Sequence, residues 1–313
     1  MDKNSIWYII VNPKAGGGKA IRKWKQLKVQ LSSKGWPYEV FFTKGKSHAR
    51  HLTIQAAELG HRQVIAVGGD GTNNEVINGI MEVRKRENVI LHYALYPAGN
   101  GNDFARHFKF PSQAYRWIKA VESASVKRQD LGMVEYQKNG VTIGRYFANA
   151  AGVGYDAHVI HAMTDHKRKT RHKSFLVSAL QELVRFIPQG TTVRSEEQNY
   201  TGKIYLIVAG VCRFAGGGMQ LTPHAIANDG LLAITMVQEV PIWKIILNLP
   251  KLYTGKIHNL KEVLQWQTSS LLIEPFDGHS LLLEVDGEII GGAPCRIVTV
   301  PDALHLLCPK IKK

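Results

Sequence analysis

The sequence predicts a two-domain protein. An N-terminal α/β domain is built on a doubly wound parallel sheet, and a mainly antiparallel β-sandwich follows it. Three observations carry this prediction. Short β-branched runs alternate with amphipathic stretches up to about Ser125, and strand-like runs then follow one another. Glycine-rich turns close the early strands, as doubly wound sheets require. The chain has 313 residues, more than one core usually serves.

The elements are expected in this order. Ile6–Val11 is apolar and β-branched and stops at Asn12-Pro13, so it reads as a buried parallel strand. Lys19–Leu31 carries Ile21, Trp24, Leu27 and Leu31 at helical spacing. Tyr38–Thr43 is a second strand, and Ser47–Leu59 a helix capped by Ser47. Val64–Val67 is a third strand, Asn73–Arg86 a helix with Val76, Ile77 and Ile80 inward, and Leu91–Tyr96 a fourth strand. A helix over Ala114–Glu122 ends the domain. Strands are then expected at Gly140–Gly152, Lys203–Val211, Leu231–Val237, Leu271–Glu274, Leu281–Val285 and Arg296–Val300, with one helix over Ser174–Ile187. The expected domains are 1–128 and 129–300, with 301–313 a tail whose packing on the first domain the sequence leaves open.

Composition narrows the function classes. Hydrophobic residues make up 44% and charged residues 21%, a globular balance. Cys212, Cys295 and Cys308 are odd in number and lack C-x-x-C spacing, which argues against a disulfide framework or zinc site and for a reducing cytosol. The opening apolar run is too short for a secretory signal, and no stretch reaches about 18 apolar residues. A cytoplasmic protein with peripheral membrane contact is expected. The net charge of +15 favours anionic partners. Neither zinc-finger spacing nor an RNP-like aromatic pattern points to nucleic acid. The 13 histidines suggest no metal site: His48 and His51 have helical spacing but no carboxylate partner.

Three glycine loops carry chemistry. VNPKAGGGKA (11–20) joins strand to helix, so its backbone N–H groups and the helix dipole suit a phosphate. It is not a Walker A loop, because Pro13 and Ala20 stand where Gly and Ser/Thr would be needed. GGDGTNNEVING (68–79) enters the third helix, with Thr72 and Asn73 able to cap it and Asp70 at its centre. PAGNGNDFARHF (97–108) repeats the device with Asn100, Asn102 and Asp103. With Thr43, these positions fall at the carboxyl ends of the strands, where such sheets bind ligands. For each loop a plain turn is the competing reading.

NPKAG, GGDGTNNEVING, GNGNDFAR, FAGGGMQLTPHAIANDGLL (214–232) and EVDGE (284–288) together resemble the bacterial diacylglycerol kinase-like lipid kinases, which share a catalytic domain with diacylglycerol, sphingosine and ceramide kinases. The match runs in order from Ile6 to Glu288. GGDGT alone is also found in NAD kinases and phosphofructokinases. The resemblance implies a nucleotide site in an interdomain cleft. ATP would bind along Asn12, Pro13, Lys14, Ala15 and Gly16, at Thr43, over Gly69, Asp70, Gly71, Thr72, Asn73, Asn74 and Glu75, and at Asn100. Asp70 and Asp103 would serve the Mg²⁺ and phosphate network, and Glu288 would be the general base. A structural Mg²⁺ is implied at a turn that relatives often write D-D-G. Here it reads Asn228-Asp229-Gly230, leaving Asp229 with the Ile226 and Leu231 carbonyls, or no ion at all. Asn100 stands where relatives often have Thr.

This chemistry suits the residues. Phosphoryl transfer needs positioning and charge neutralisation, and a base at Glu288 would add about 10²–10⁴-fold. The expected activity is ATP- and Mg²⁺-dependent phosphorylation of a lipid hydroxyl at an anionic membrane surface, with diacylglycerol giving phosphatidic acid. Alternatives are a kinase of a soluble acceptor such as NAD, and an inactive nucleotide-binding regulator. HKRKTRHK (166–173), with five Lys/Arg, is either a headgroup contact or a solvated loop. VPIWKIILNLPKLY (240–253) is a core segment, an interfacial face or an acyl-pocket wall. Whether the protein forms a homodimer is open, and Asp156 in AGVGYDA has no assigned role.

Overall fold

The computed structural model describes residues 5–164, 180–276 and 281–309. The chain divides into two compact units, Met1–Asp130 with Asp302–Lys313, and Leu131–Pro301. In the first, β1 (Trp7–Val11), α1 (Lys19–Ser33), β2 (Tyr38–Phe42), α2 (His48–Glu58), β3 (Gln63–Gly68), α3 (Asp70–Glu87), β4 (His92–Pro97), α4 (Asp103–His107) and α5 (Ala114–Glu122) alternate, and β5 (Ser125–Lys138) leads out. β1 lies between β2 and β3, and β4 extends the sheet beyond β3, all parallel. Every residue of β1 and β3 is buried, which is why both read as unbroken apolar runs. On α1, Trp24, Leu27 and Leu31 are buried, and burying such a side chain contributes about 1.5–3 kcal/mol.

Register sets the site. Val11 lies opposite both Phe42 and Val67, and Gly68 opposite Pro97. The strands therefore finish level, and the segments after Val11, Phe42, Gly68 and Pro97 leave from one edge.

The second unit runs through β6 (Val141–Phe147), β7 (Ala150–Gly154), α6 (Tyr155–Thr164), β8 (Gln189–Arg194), β9 (Asn199–Gly210), β10 (Leu232–Gln238), α7 (Ile242–Thr254), β11 (Val263–Thr268), β12 (Ser270–Pro275), β13 (Leu282–Val285), β14 (Glu288–Gly292) and β15 (Cys295–Cys308). Its pairings are antiparallel: β9 lies between β7 and β8 and also meets β10, which pairs with β11, while β13 joins β7 to β14. β15 serves both units. Cys295–Val298 pairs with β12, and His305 and Leu306 run parallel to His92 and Tyr93 of β4 in the first unit.

Several expectations change. The run Gly140–Gly152 is two strands, because the N–H groups of Ala148, Asn149 and Ala150 turn to the Asp286 carboxylate at 2.9–3.1 Å. The third helix begins at Asp70, three residues earlier than its apolar spacing suggests. Ser47 lends no side-chain cap to α2, since its own φ is +64°. Glu75 caps α2 instead, accepting the N–H groups of Ser47 at 2.7 Å and Ala49 at 3.0 Å. Of the helix expected over Ser174–Ile187, residues 180–183 are helical and 174–179 lie outside the described residues, as does the basic run 166–173.

Candidate functional site

The three glycine loops of the first unit touch one another. Asn12 Nδ2 donates to Thr72 Oγ1 at 2.9 Å, tying the first loop to the second, while Asn12 Oδ1 accepts the Lys14 N–H at 3.1 Å and shapes its own turn. Gly16 and Gly17 have φ of +61° and +67°, a conformation that favours glycine, within the 3-10 turn Ala15–Gly18. Gly69 lies against Gly99: a Cβ on Gly69 would sit 2.8 Å from the Gly99 Cα, so no side chain fits between the second and third loops. Asn102 clamps Gly99 from both sides, accepting its N–H at 2.8 Å and donating to its carbonyl at 2.7 Å.

Asp70 occupies the first turn of α3, where the helix dipole favours a negative charge. Its Oδ1 accepts the Phe104 N–H at 3.2 Å, which joins it to the start of α4. Asp103, in the first turn of α4, is buried, with Arg106 Nε 3.7 Å from its Oδ1. The loops thus bring Asp70 and the Asp103 segment to one place. The charge on Asp70 and, more strongly, burial push the Tyr93 hydroxyl well above its ordinary range.

The other expected nucleotide residues divide. Pro13, Lys14, Ala15, Gly16, Gly69, Gly71 and Asn100 are partly or fully exposed along this edge. Thr43 is buried and its N–H donates to the Val11 carbonyl at 2.9 Å. Asn73 is buried and accepts from the Tyr93 hydroxyl at 2.7 Å; Asn74 is buried and accepts from Asn78 at 3.2 Å. With Glu75 engaged on α2, these three side chains bond within the unit and support the loop from behind.

In the second unit, the EVDGE turn is built by Asp286, whose carboxylate holds three backbone N–H groups. Glu284 is buried and accepts the Gly287 N–H at 2.8 Å. The turn delivers Glu288, partly exposed, with an oxygen 3.5 Å from Arg145 Nη2. Arg145 was not legible as a partner, because it lies 143 residues away on β6. A cavity of about 140 Å³ in the same unit is lined by apolar groups including Val159, Leu183, Met219, Ile245, Leu249 and Leu252. Asp156 also lines it and is buried. Gly152 leaves room for that carboxyl, and neither oxygen finds a well-formed hydrogen bond. Burial raises the Asp156 pKa to about 7, against a smaller pull from the backbone N–H groups of Ala157 and Asp156. Glu284 is likewise raised well above the usual carboxylate range, by burial first and by Asp156 second.

Two cation sites were implied. Magnesium keeps waters and takes phosphate oxygens, so two protein carboxylates can suffice, and Asp70 and Asp103 stand on segments that the Asp70–Phe104 hydrogen bond joins. The turn at Asp229 supplies a single carboxylate. One Asp229 oxygen accepts the Leu231 N–H at 3.0 Å and the other accepts Gln267 Nε2 at 2.8 Å. Among the described residues no group of three or more His, Cys, Asp or Glu side chains could hold a metal.

A parallel sheet with glycine turns at its carboxyl edge, two carboxylates in helix first turns and an antiparallel β domain define the class: a phosphotransferase of the nucleotide-dependent kinase type. The sequence profile of the diacylglycerol kinase catalytic domain matches residues 6–134, and that of the YegS C-terminal NAD kinase beta sandwich-like domain matches 149–308. The chain belongs to this diacylglycerol kinase-like family of lipid kinases. It is 28% identical over 316 residues to YtlR of Bacillus subtilis, covering 96% of this chain and 99% of that one. It is 29% identical over 311 residues to a protein named "Probable lipid kinase YegS-like" from Cronobacter sakazakii, covering 99% and 98%. The crystal structure of a diacylglycerol kinase from Bacillus anthracis shares the fold, with a TM-score of 0.73, 20% identity and 98% of each chain covered. Yeast NADH kinase shares it more loosely, with a TM-score of 0.52 and 9% identity over 98% of this chain and 84% of that one.

Proposed function

We propose that this protein transfers the γ-phosphate of ATP to the hydroxyl of a membrane lipid, with diacylglycerol as acceptor and phosphatidic acid as product. The observation that carries the lipid reading is the cavity in the second unit, whose lining is almost wholly apolar. Such a lining suits an acyl chain and gives a dinucleotide little to bond. Diacylglycerol is favoured within the lipids by the name of the Bacillus anthracis structure that shares the fold.

The backbone N–H groups of the 14–18 turn and the N-terminus of α3 would receive the phosphates. Lys14, exposed on the same loop, adds a positive charge. Asp70 and Asp103 would hold Mg²⁺, which when bound neutralises charge on the β- and γ-phosphates. The lipid oxygen forms a bond to the γ-phosphorus as the bond to the β-bridging oxygen breaks, ADP leaves, and Glu288 takes the hydroxyl proton. Arg145 positions that carboxylate. Asn73, Asn74 and Glu75 hold the loop rather than the nucleotide.

Labelled phosphate transfer from ATP to a lipid panel tests the reading. Phosphatidic acid should form with diacylglycerol, and Glu288→Gln should lower kcat about 10²–10⁴-fold. Phosphorylation of NAD but of no lipid would overturn the acceptor, and ATP binding with no turnover on any acceptor would overturn the kinase.

A further inference from the structure

Helix α7 is apolar on both sides, which a helix on a water-facing surface has no reason to be. At 100° per residue, Ile242, Ile245, Leu249 and Leu252 share one side. Ile245, Leu249 and Leu252 line the cavity, and Ile242 packs with Ile245 against Leu183, Tyr205 and Val240. Trp243, Ile246 and Leu247 share the opposite side and are 63%, 47% and 70% exposed. No residue of the helix is buried, so it is not the core segment its composition suggested. From 240 to 261 the chain carries Lys244, Lys251, Lys256 and Lys261 and no acidic residue; Lys244 is paired with Glu262. Leu180, also on the cavity wall, is itself partly exposed.

We propose that the outward face of α7, formed by Trp243, Ile246 and Leu247, docks this protein on an anionic phospholipid bilayer, and that the cavity behind it receives a lipid chain from that bilayer. Charge complementarity selects the occupant. Lys251, one helical step of 40° from Leu247, borders the apolar face, and Lys256 and Lys261 follow the helix in the chain; a lysine near anionic headgroups contributes about 1 kcal/mol, and Trp favours the interfacial zone. A second copy of the chain would instead set these lysines against their own counterparts, which costs energy. A helix with one apolar face in the bilayer and the other on the cavity makes the wall of the pocket the contact with the membrane. The docking stands on α7 alone, while the delivery of a chain rests on the lipid-kinase reading.

The test uses the full chain without ATP, sedimented with vesicles of phosphatidylcholine alone and of phosphatidylcholine with phosphatidylglycerol. The anionic vesicles should retain the protein. Trp243→Ala/Leu247→Ala and Trp243→Glu/Leu247→Glu should each weaken retention roughly tenfold or more. Val29→Glu, on an exposed position of α1, should not. Fluorescence quenching by brominated lipid covers the case in which these variants fail to fold. Trp7, Trp24 and Trp117 are buried and Trp36 and Trp266 half-buried, so quenching should be strongest at Trp243 and fall sharply in the conservative Trp243→Phe. Unchanged retention by folded double variants, quenching that persists in Trp243→Phe, or a wild-type dimer that ignores vesicles and dissociates in the variants would overturn the docking. Because no turnover is measured, a chain that docks through α7 yet phosphorylates no lipid leaves the docking standing and fails the kinase reading alone.

Discussion

At the scale of single residues, carboxylates with similar sequence settings do different work. Asp70 lies in a loop that suits phosphate, in the first turn of a helix, where a cation would be shared with a nucleotide. Asp70→Asn should therefore lower kcat about 10²-fold or more while the dissociation constant for ATP shifts only a few-fold, as steady-state kinetics and calorimetric titration would show. Asp156 has a different setting: it lines an apolar cavity, and burial raises its pKa to about 7. Its folded pKa, about 7, is above the unfolded value near 3.9, so the folded state holds the extra proton between these limits. Its stabilising contribution is full below about pH 4 and is lost as pH rises through 7. Melting temperature should fall across that window, and Asp156→Asn should flatten the fall. The glycines around Asp70 marked it in the sequence as a candidate for chemistry. The sequence said nothing of Asp156, whose carboxyl sits against Gly152 in a cavity completed by α7, β9 and residues near 260, distant in the chain.

At the scale of elements, the parallel sheet was legible because its central strands are buried on both faces and its turns are marked by glycine. Elements anchored by remote side chains were not. The break between β6 and β7 depends on Asp286, and the start of α2 depends on Glu75, so neither leaves a local mark. Glu75 replaces the missing Ser47 cap from another helix. Glu75→Ala should cost about 1–3 kcal/mol in urea unfolding, more than an ordinary cap, because two N–H groups lose their acceptor together. A reduction in stability with ATP affinity nearly intact would separate this role from direct nucleotide contact. The apolar stretch at 240–253 was legible as apolar but not as a helix with two apolar sides. That depends on what the second unit leaves uncovered.

At the scale of the whole molecule, a net charge of +15 acts with the apolar face rather than in place of it. Screening shortens the reach of that charge to about 10 Å at 0.1 M salt. Binding to anionic vesicles should fall steadily as salt rises from about 0.05 to 0.5 M, leaving a residual set by Trp243, Ile246 and Leu247, and sedimentation across a salt series would measure both parts. No described helix is long and apolar enough to cross a membrane. The last strand adds a constraint of another kind. β15 returns to pair with β4, and its Leu304, Leu306 and Leu307 are buried in the first unit. Roughly 200 residues separate the two strands in the order of translation. At ribosomal speeds of about 5–20 residues per second, β4 waits on the order of 10–40 s with one edge unmatched. The first unit is begun first and completed last, and during that interval one edge of its sheet stays open to pairing with another strand.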